Sequence, residues 1–408
     1  MTGASGYRAL VGLSHAKALI GWSLLARLPL GMTPFALLLL VRAEGSGYGA
    51  AGLVVGVYTV ALGIGGPIRG RRVDRLGPNP VLRVGAVAYA ALLGIVIALA
   101  LFDAPVAALA LVAALAGLVH PPISPTVRVV WPRIAPAELR DTAYAFEAAI
   151  QELFFVVGPA LGALLAVLDP TLAVAGAALA SLVGTTATAR LRPVRETPPS
   201  RTAGAGLLGA LGSAGVRTIV VYATVIGAAF GAVELAMPAF AEQHGARELG
   251  GIALATFAAG SLLGGLLAGM WPPRDEVRRF LTSAVALAVA LLGLQLAVSL
   301  PSLALLAFVA GLPIAPTVGA LYTATDRTAR PGTAAEAFAW FGTAVSVGFA
   351  VGAAATGALV EERGTRWGFG LGALVALGGA LLGWVRRATL VAPVDRSAEP
   401  STHGLERP

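Results

Sequence analysis

Twelve apolar runs, each long enough to cross a lipid bilayer, constrain this chain more than any other feature. Six precede a polar stretch, at about 18–41, 47–69, 81–102, 104–127, 142–168 and 170–189. Six follow it, at about 218–241, 249–271, 279–300, 302–325, 333–360 and 367–385. Only 12% of the 408 residues are charged, against about 25% in soluble domains. The runs predict an all-α membrane protein with twelve transmembrane helices.

A repeat indicates that these helices form two similar units. Residues 122–127 read Pro-Ile-Ser-Pro-Thr-Val, and residues 313–318 read Pro-Ile-Ala-Pro-Thr-Val about half a chain length later. Similarity at this separation predicts two copies of one large unit, here two pseudo-symmetric six-helix bundles. The predicted division is a bundle at 1–190, a flexible cytoplasmic linker at 191–216, a bundle at 217–387 and a disordered cytoplasmic tail at 388–408.

Basic residues predict the orientation in the membrane. If both termini are cytoplasmic, nearly all of the 29 basic residues fall in cytoplasmic segments. Those on the opposite side are Arg42, Arg247, Arg363 and Arg366. This asymmetry is typical of cytoplasmic loops in membrane proteins. It explains the net charge of +8 without a nucleic-acid partner. Only one of the 29 basic residues is a lysine, which suggests a GC-rich bacterial genome, so the expected location is the bacterial plasma membrane.

The sequence offers no sign of a cofactor or of enzymatic chemistry. It has no cysteine, and its four histidines (residues 15, 120, 244 and 403) are scattered, so no metal site is predicted. Neither a nucleotide-binding loop nor a Ser/His/Asp set is apparent. We therefore expect a protein that is not an enzyme and binds no cofactor.

The segment after the second run carries a recognisable motif. Residues 70–77 read Gly-Arg-Arg-Val-Asp-Arg-Leu-Gly, in a predicted tight cytoplasmic loop. This loop, with twelve helices in two halves, resembles the major facilitator superfamily over the whole chain. The chain departs from the family pattern at Pro78 and Asn79, where a basic pair is usual, and in lacking an arginine in the middle of the fourth helix. The resemblance implies alternating access, in which two halves rock about a central site.

The resemblance also implies a conformational latch in this loop. Asp74 would pair with Arg128 at the cytoplasmic end of the fourth helix, with Gly70, Arg75 and Gly77 shaping the loop. The alternative is that Asp74 only caps or neutralises a basic loop.

The fifth predicted helix contains Gly158-Pro159-Ala-Leu-Gly162, which resembles part of the drug/proton antiporter signature. In that branch the motif softens the helix between the two halves, so Gly158, Pro159 and Gly162 are candidate hinge residues. Phe154 stands where the signature has a further glycine. Proline and glycine within membrane helices also make plain kinks, and that alternative stays open.

Ionisable residues inside the apolar runs are the best candidates for a functional site, because a charge in the membrane is costly unless it is paired or hydrated. Arg27 and Glu152 have opposite charges at similar predicted depths, about 14–15 Å from the helix starts. One interpretation is a structural ion pair. The other is that Glu152 binds and releases protons while Arg27 responds to occupancy.

Four further residues are candidates for coupling or substrate binding. Glu147 and Gln151 share a helix stripe with the two glycines of the fifth helix. Glu234 lies in the seventh helix and could instead be a residue of an outer vestibule. His120 is titratable, although a hydrogen-bonded structural histidine is the more common case.

Together these features predict a secondary active transporter, proton-coupled, that exports small amphipathic molecules. The alternatives are a proton-coupled importer of a small metabolite and, from another class, a membrane protein that does not transport. The expected partners are a small-molecule substrate, protons and the lipid bilayer, and the expected oligomeric state is a monomer.

Overall fold

A computed structural model describes residues 4–200, 209–246, 250–270 and 275–391, without the side chains of residues 4, 48, 152, 155 and 156. The predicted tail from residue 392 onward lies outside the described residues. The described part is built from α-helices with short 3-10 turns and contains no strand. This confirms the all-α prediction.

The helices of the first half and its following segment are α1 (Ala4–Gly12), α2 (Ala16–Ala43), α3 (Tyr48–Leu76), α4 (Pro78–Leu101), α5 (Val106–Val119), α6 (Ile123–Ile134), α7 (Ala137–Leu168), α8 (Pro170–Arg190) and α9 (Arg192–Arg195). Those of the second half are α10 (Ala214–Gln243), α11 (Gly250–Met270), α12 (Glu276–Gly293), α13 (Leu300–Gly311), α14 (Ile314–Thr328), α15 (Ala334–Arg363) and α16 (Thr365–Val385).

Eleven stretches within the described residues are long and apolar enough to cross a membrane. The pairs α5/α6 and α13/α14 each form one such stretch. Helix α7 has 32 residues and can also cross, since a bilayer core of about 30 Å needs about 20 residues. The twelve-helix prediction is confirmed in this form.

The repeated Pro-Ile-x-Pro-Thr-Val motif marks a break in one span of each half. Helix α6 begins at Ile123 after Pro122, and α14 begins at Ile314 after Pro313. Proline lacks the N–H that a continuous helix needs, so it is accommodated at a helix start. The repeat found in the sequence therefore corresponds to a repeated structural feature.

Three segments differ from the sequence-based boundaries. Residues 70–76, predicted as a tight loop, continue α3, and only Gly77 leaves the helix, with φ of 78°. Helix α7 begins at Ala137 rather than near residue 142. The start of the predicted linker contains α9, and Val194 within it is fully buried. The domain boundaries themselves stay a prediction.

Each half has its own apolar core. Leu37, Tyr58 and Leu93 are buried in the first half, and Tyr222, Leu287 and Phe369 are buried in the second. The halves meet where α3 packs on α15 and where α7 packs on α11 and α14. We call the end of the bundle at which α2 begins and α16 ends the termini end.

Candidate functional site

At the termini end, the residues of the motif at 70–77 contact the opposite half. The Asp74 carboxylate accepts hydrogen bonds from the backbone N–H groups of Ala335 (3.0 Å) and Glu336 (2.9 Å) at the start of α15. These groups have no partner within their own helix, and the helix dipole favours an anion there. Arg71 donates two hydrogen bonds to the buried Glu336 carboxylate, at 2.7 and 3.0 Å. This set of contacts, which we call the latch, joins the halves.

The prediction that Asp74 pairs with Arg128 is wrong, because the Asp74 carboxylate is bound to the α15 backbone instead. Gly70 permits the close approach: a Cβ there would lie 2.6 Å from the Ala335 carbonyl oxygen. Gly77 has the positive φ that lets the chain turn from α3 into α4. Arg75 is exposed on the last turn of α3.

Asp74→Asn is expected to weaken the latch by about 2 kcal/mol, roughly 30-fold, because one charge-assisted hydrogen bond and the negative charge are both lost. The chain has no cysteine, so spin labels at Arg72→Cys and Arg387→Cys report the distance across the termini end. We expect a larger population of long distances. Asp275→Asn is the matched control, because Asp275 caps α12 within one half. Equal distance distributions in Asp74→Asn and the parent protein would contradict a latch.

Deeper in the first half, a buried ion pair joins α2 and α7. Arg27 donates to Glu147 Oε2 at 2.7 Å, and both side chains are only 2% exposed. Trp131 Nε1 donates to the other carboxylate oxygen at 3.0 Å. The predicted partner of Arg27 was Glu152, whose side chain lies outside the described residues; the carboxylate found at Arg27 belongs to Glu147.

A second buried arginine lies between the halves. Arg128 of α6 donates to the Gln151 side-chain oxygen (3.1 Å) and to the Tyr322 hydroxyl (2.6 Å) of α14. The Tyr322 hydroxyl also donates to Gln151 at 2.7 Å. The guanidinium carbon lies 3.8 Å from the Tyr322 ring centroid and 5.8 Å from that of Phe338. Arg128 therefore contacts both halves, and its partners are neutral polar and aromatic side chains.

On the other side of the termini end, α1 contacts both halves. The Tyr7 hydroxyl donates to the Gly265 carbonyl of α11 at 3.1 Å, and its ring centroid is 6.0 Å from that of Phe146 in α7. Burial raises the pKa of Tyr7 to about 12, so the phenol stays protonated and can donate. Thr142 of α7 donates to the Gly269 carbonyl at 3.1 Å. The short polar N-terminal segment of the sequence is thus part of the closure.

The separation of α3 and α15 increases away from the termini end. Along one stripe of α3, a Cβ on Gly70 or Gly66 would contact α15 closely, and one on Gly63 would be 4.0 Å from Thr343. A Cβ on Gly56 or Gly52, further along, would have no neighbour within 4 Å. These residues share a face because their spacings are near multiples of the helical repeat. The halves are therefore closed at the termini end and apart at the other.

His120 lies within the first half rather than between the halves. It is buried at the break between α5 and α6, and its Nδ1 is 3.1 Å from the Pro121 carbonyl oxygen. Arg69 donates to the Gly117 carbonyl (2.9 Å) and the Leu118 carbonyl (2.5 Å) at the same break. A cation at a helix C-terminus stabilises its carbonyls, so this polar cluster supports the broken helix.

The glycines of α7 do not lie between the halves. A Cβ on Gly158 would be 2.8 Å from the Leu28 carbonyl oxygen of α2, and one on Gly162 would be 3.3 Å from Met32. The resemblance implied a position between the halves, whereas both glycines pack on α2 of the same half. The hinge role of Gly158, Pro159 and Gly162 stays a prediction. Glu234 is half-buried in α10.

Sequence reasoning missed several residues of these contacts. Tyr322 and Trp131 were not singled out, because an aromatic residue in a membrane helix most often packs or anchors. Arg71 stood in the motif, yet its partner Glu336 lies far away in the sequence and carries no motif of its own. Among the described residues, no group of three or more His, Asp and Glu could hold a metal ion.

Comparison with known families gives one match. A model described as Major Facilitator Superfamily matches residues 19–335 and 219–407. None of the curated protein sequences matches this chain. The matched family consists of transport proteins rather than enzymes.

Solved structures share the fold over nearly the whole chain. A bacterial homologue of the iron transporter ferroportin, in an outward-facing state, has a TM-score of 0.72 at 13% identity, covering 92% of this chain and 100% of its own. The human organic anion transporter MFSD10 (TETRAN) has 0.67 at 16%, covering 92% and 99%. The proton:xylose symporter XylE, bound to 6-bromo-6-deoxy-D-glucose, has 0.67 at 14%, covering 91% and 96%. At these identities the likeness shows the fold alone.

Proposed function

We propose that this chain, which belongs to the Major Facilitator Superfamily and so is built as a secondary transporter, exports small amphipathic molecules in exchange for protons. The observation that carries the proposal is the uneven contact between the halves. They are joined at the termini end and separated at the other, as expected for one of the two states of alternating access.

The termini end is proposed to be cytoplasmic, because the basic residues are concentrated in the segments at that end. The protein then sits in a bacterial plasma membrane as a monomer, with both termini inside and the conformation described here facing outward. The ferroportin homologue that is similar in fold was solved in an outward-facing state.

Glu147 is the proposed proton carrier. It is a nearly fully buried carboxylate on a membrane-spanning helix, and its partners are Arg27 and Trp131. A proton that neutralises Glu147 would release Arg27, and a change in one buried charge pair biases the packing of the helices that carry it. Glu152 and Glu234 stay further candidates for coupling.

The proposal is tested in liposomes that hold a preformed proton gradient, and the internal pH is followed with the entrapped pH dye pyranine. Amphipathic compounds of either charge are added outside. Dissipation of an inside-acid gradient indicates exchange, whereas dissipation of an outside-acid gradient indicates symport, the mechanism of an importer. Orientation is read from impermeant labelling of Glu196→Cys, an exposed position of the linker.

We expect at least one compound to dissipate the inside-acid gradient, and Glu147→Gln liposomes to lose at least tenfold in rate. Dissipation only of the outside-acid gradient would replace the exporter with the importer. A response that is equal in protein-free liposomes for every compound would contradict coupled transport.

A further inference from the structure

Arg128 is a buried cation between the halves whose described contacts do not compensate its charge. Its side chain is 4% exposed, and its hydrogen bonds go to the Gln151 amide oxygen and the Tyr322 hydroxyl, both neutral groups. Its Nε atom is buried without a hydrogen-bond partner. A buried charge is costly unless an opposite charge compensates it. No described carboxylate lies in ion-pair contact with Arg128.

Glu147 is a carboxylate whose charge acts on Arg128, but its two oxygens already have other partners. Both oxygens of Glu147 are used, one by Arg27 at 2.7 Å and the other by Trp131 at 3.0 Å. Arg27 and Glu147 neutralise each other, and the positive charge of Arg128 is left over. Arg128 is thus a positive charge between the halves that no described carboxylate pairs with.

The position of Arg128 between the halves makes this charge dependent on conformation. Tyr322 and Phe338, which lie against its guanidinium, belong to α14 and α15 of the second half. When the halves part at the termini end, those groups move away while Gln151 stays with Arg128 in the first half. The planar guanidinium is then open, and its geometry matches a carboxylate held by two hydrogen bonds.

We propose that Arg128 binds the carboxylate of an aromatic organic monoanion, and that the rings of Tyr322 and Phe338 contact the aromatic part. This substrate class rests on the proposed transport function. One charge is specified because Arg128 lies between the halves and no described carboxylate pairs with it. An aromatic body is specified because two ring centroids lie 3.8 and 5.8 Å from the guanidinium carbon.

Three probes of the same planar shape test the assignment. Benzoate is an anion, benzamide is neutral and benzamidine is a cation. Binding to the purified protein is measured by calorimetry and by the ligand-dependent rise in melting temperature, which needs no transport step. Benzoate is expected to bind at least tenfold more tightly than benzamide, and benzamidine more weakly than either.

Two variants separate this site from a general charge effect. Arg128→Gln is expected to weaken benzoate binding at least tenfold, to the level of benzamide. Arg133→Gln is the matched control, because it removes a positive charge from an exposed position of the same helix, and it should leave binding unchanged. If Arg128→Gln fails to fold, Arg128→Lys keeps the charge but not the planar fork, and it should bind benzoate more weakly while still preferring it to benzamide.

Equal binding of benzoate and benzamide, tighter binding of benzamidine, or full benzoate affinity in Arg128→Gln would each overturn the inference. Benzoate binding through Arg128 without proton exchange would support the site and count against the exporter proposal. Proton exchange with a neutral or cationic compound, combined with no benzoate binding, would leave the exporter proposal standing and remove this one.

Discussion

Removing one charge of the Arg27–Glu147 pair is expected to destabilise the folded protein by about 3–5 kcal/mol, and removing both is expected to cost much less. Glu147→Gln leaves the guanidinium of Arg27 buried without a counter-charge, and Arg27→Gln does the same to the carboxylate. The double variant leaves no charge to compensate, and two amides can bond to each other and to Trp131. Thermal unfolding of the four proteins in one detergent measures the coupling energy.

The exposed pair Arg192–Glu196 supplies the control. Its atoms approach to 2.9 Å, much as in the buried pair, but the two side chains are 69% and 53% exposed. Exposed pairs contribute at most about 1 kcal/mol, so the same four-protein comparison should give little coupling there. Losses that simply add in the Arg27→Gln/Glu147→Gln protein would show that the buried pair does not interact.

Transport by the double variant separates a structural role from proton carrying. If Glu147 carries the proton, the double variant should recover stability but not proton-driven exchange, since neither remaining amide titrates. Recovery of both would restrict the pair to a structural role and would move the proton site to another acid.

The partner of Arg27 illustrates what the sequence predicted and what it could not. Apolar runs placed an arginine and an acid in α2 and α7 at similar depth, and an acid of α7 does meet Arg27. The predicted depth was counted from residue 142, whereas α7 begins at Ala137. The count therefore began about 1.4 turns too late, so the acid at the depth of Arg27 is Glu147 rather than Glu152.

The latch shows a second kind of limit. The motif predicted that Asp74 holds one conformation, and the structure places Asp74 at a contact between the halves. Its partners are two backbone N–H groups at the start of α15, and a helix terminus offers the same groups whatever its side chains are. No residue type in α15 could therefore have identified them, and Arg128 was the partner that the family resemblance implied.

The repeat at residues 122 and 313 correctly predicted a repeated structural feature, because the effect of proline on the backbone is local. Proline removes a backbone donor wherever it stands, so the motif specifies a helix start in both halves. Contacts between distant segments, such as Tyr7 with Gly265, depend on how the helices pack, and no sequence pattern predicted them.

Substitutions at the two ends of the α3 glycine stripe are expected to shift the conformational equilibrium in opposite directions. At Gly70, an added methyl group would overlap the α15 backbone, so Gly70→Ala should disfavour closure of the termini end. Overpacking of this kind costs about 1–3 kcal/mol, which corresponds to a population shift of roughly 5- to 150-fold. The spin labels at Arg72→Cys and Arg387→Cys should then report longer distances.

At Gly56 the expected shift has the other sign. A side chain there meets nothing within 4 Å in the conformation described, so Gly56→Leu is tolerated in it. The facing side of α15 carries small exposed residues, among them Ala350 and Ala354. We call the end of the bundle opposite the termini end the far end. When the far end closes, as alternating access requires, these small residues would approach α3, and a leucine at position 56 would keep the two helices apart.

Gly56→Leu should therefore hold the far end open and stop exchange, while a label pair at Ala43→Cys and Glu361→Cys shows no short-distance population under an imposed proton gradient. Gly94→Leu is the matched control, because Gly94 also has no neighbour within 4 Å but lies on α4, which packs mainly on α8 and α5 of its own half. Both leucines improve helix propensity by a similar amount, about 1 kcal/mol, so a difference between them reports the contact and not the helix. If Gly56→Leu exchanges protons as fast as Gly94→Leu, α3 and α15 do not meet at the far end, and the opposite state must close through other helices.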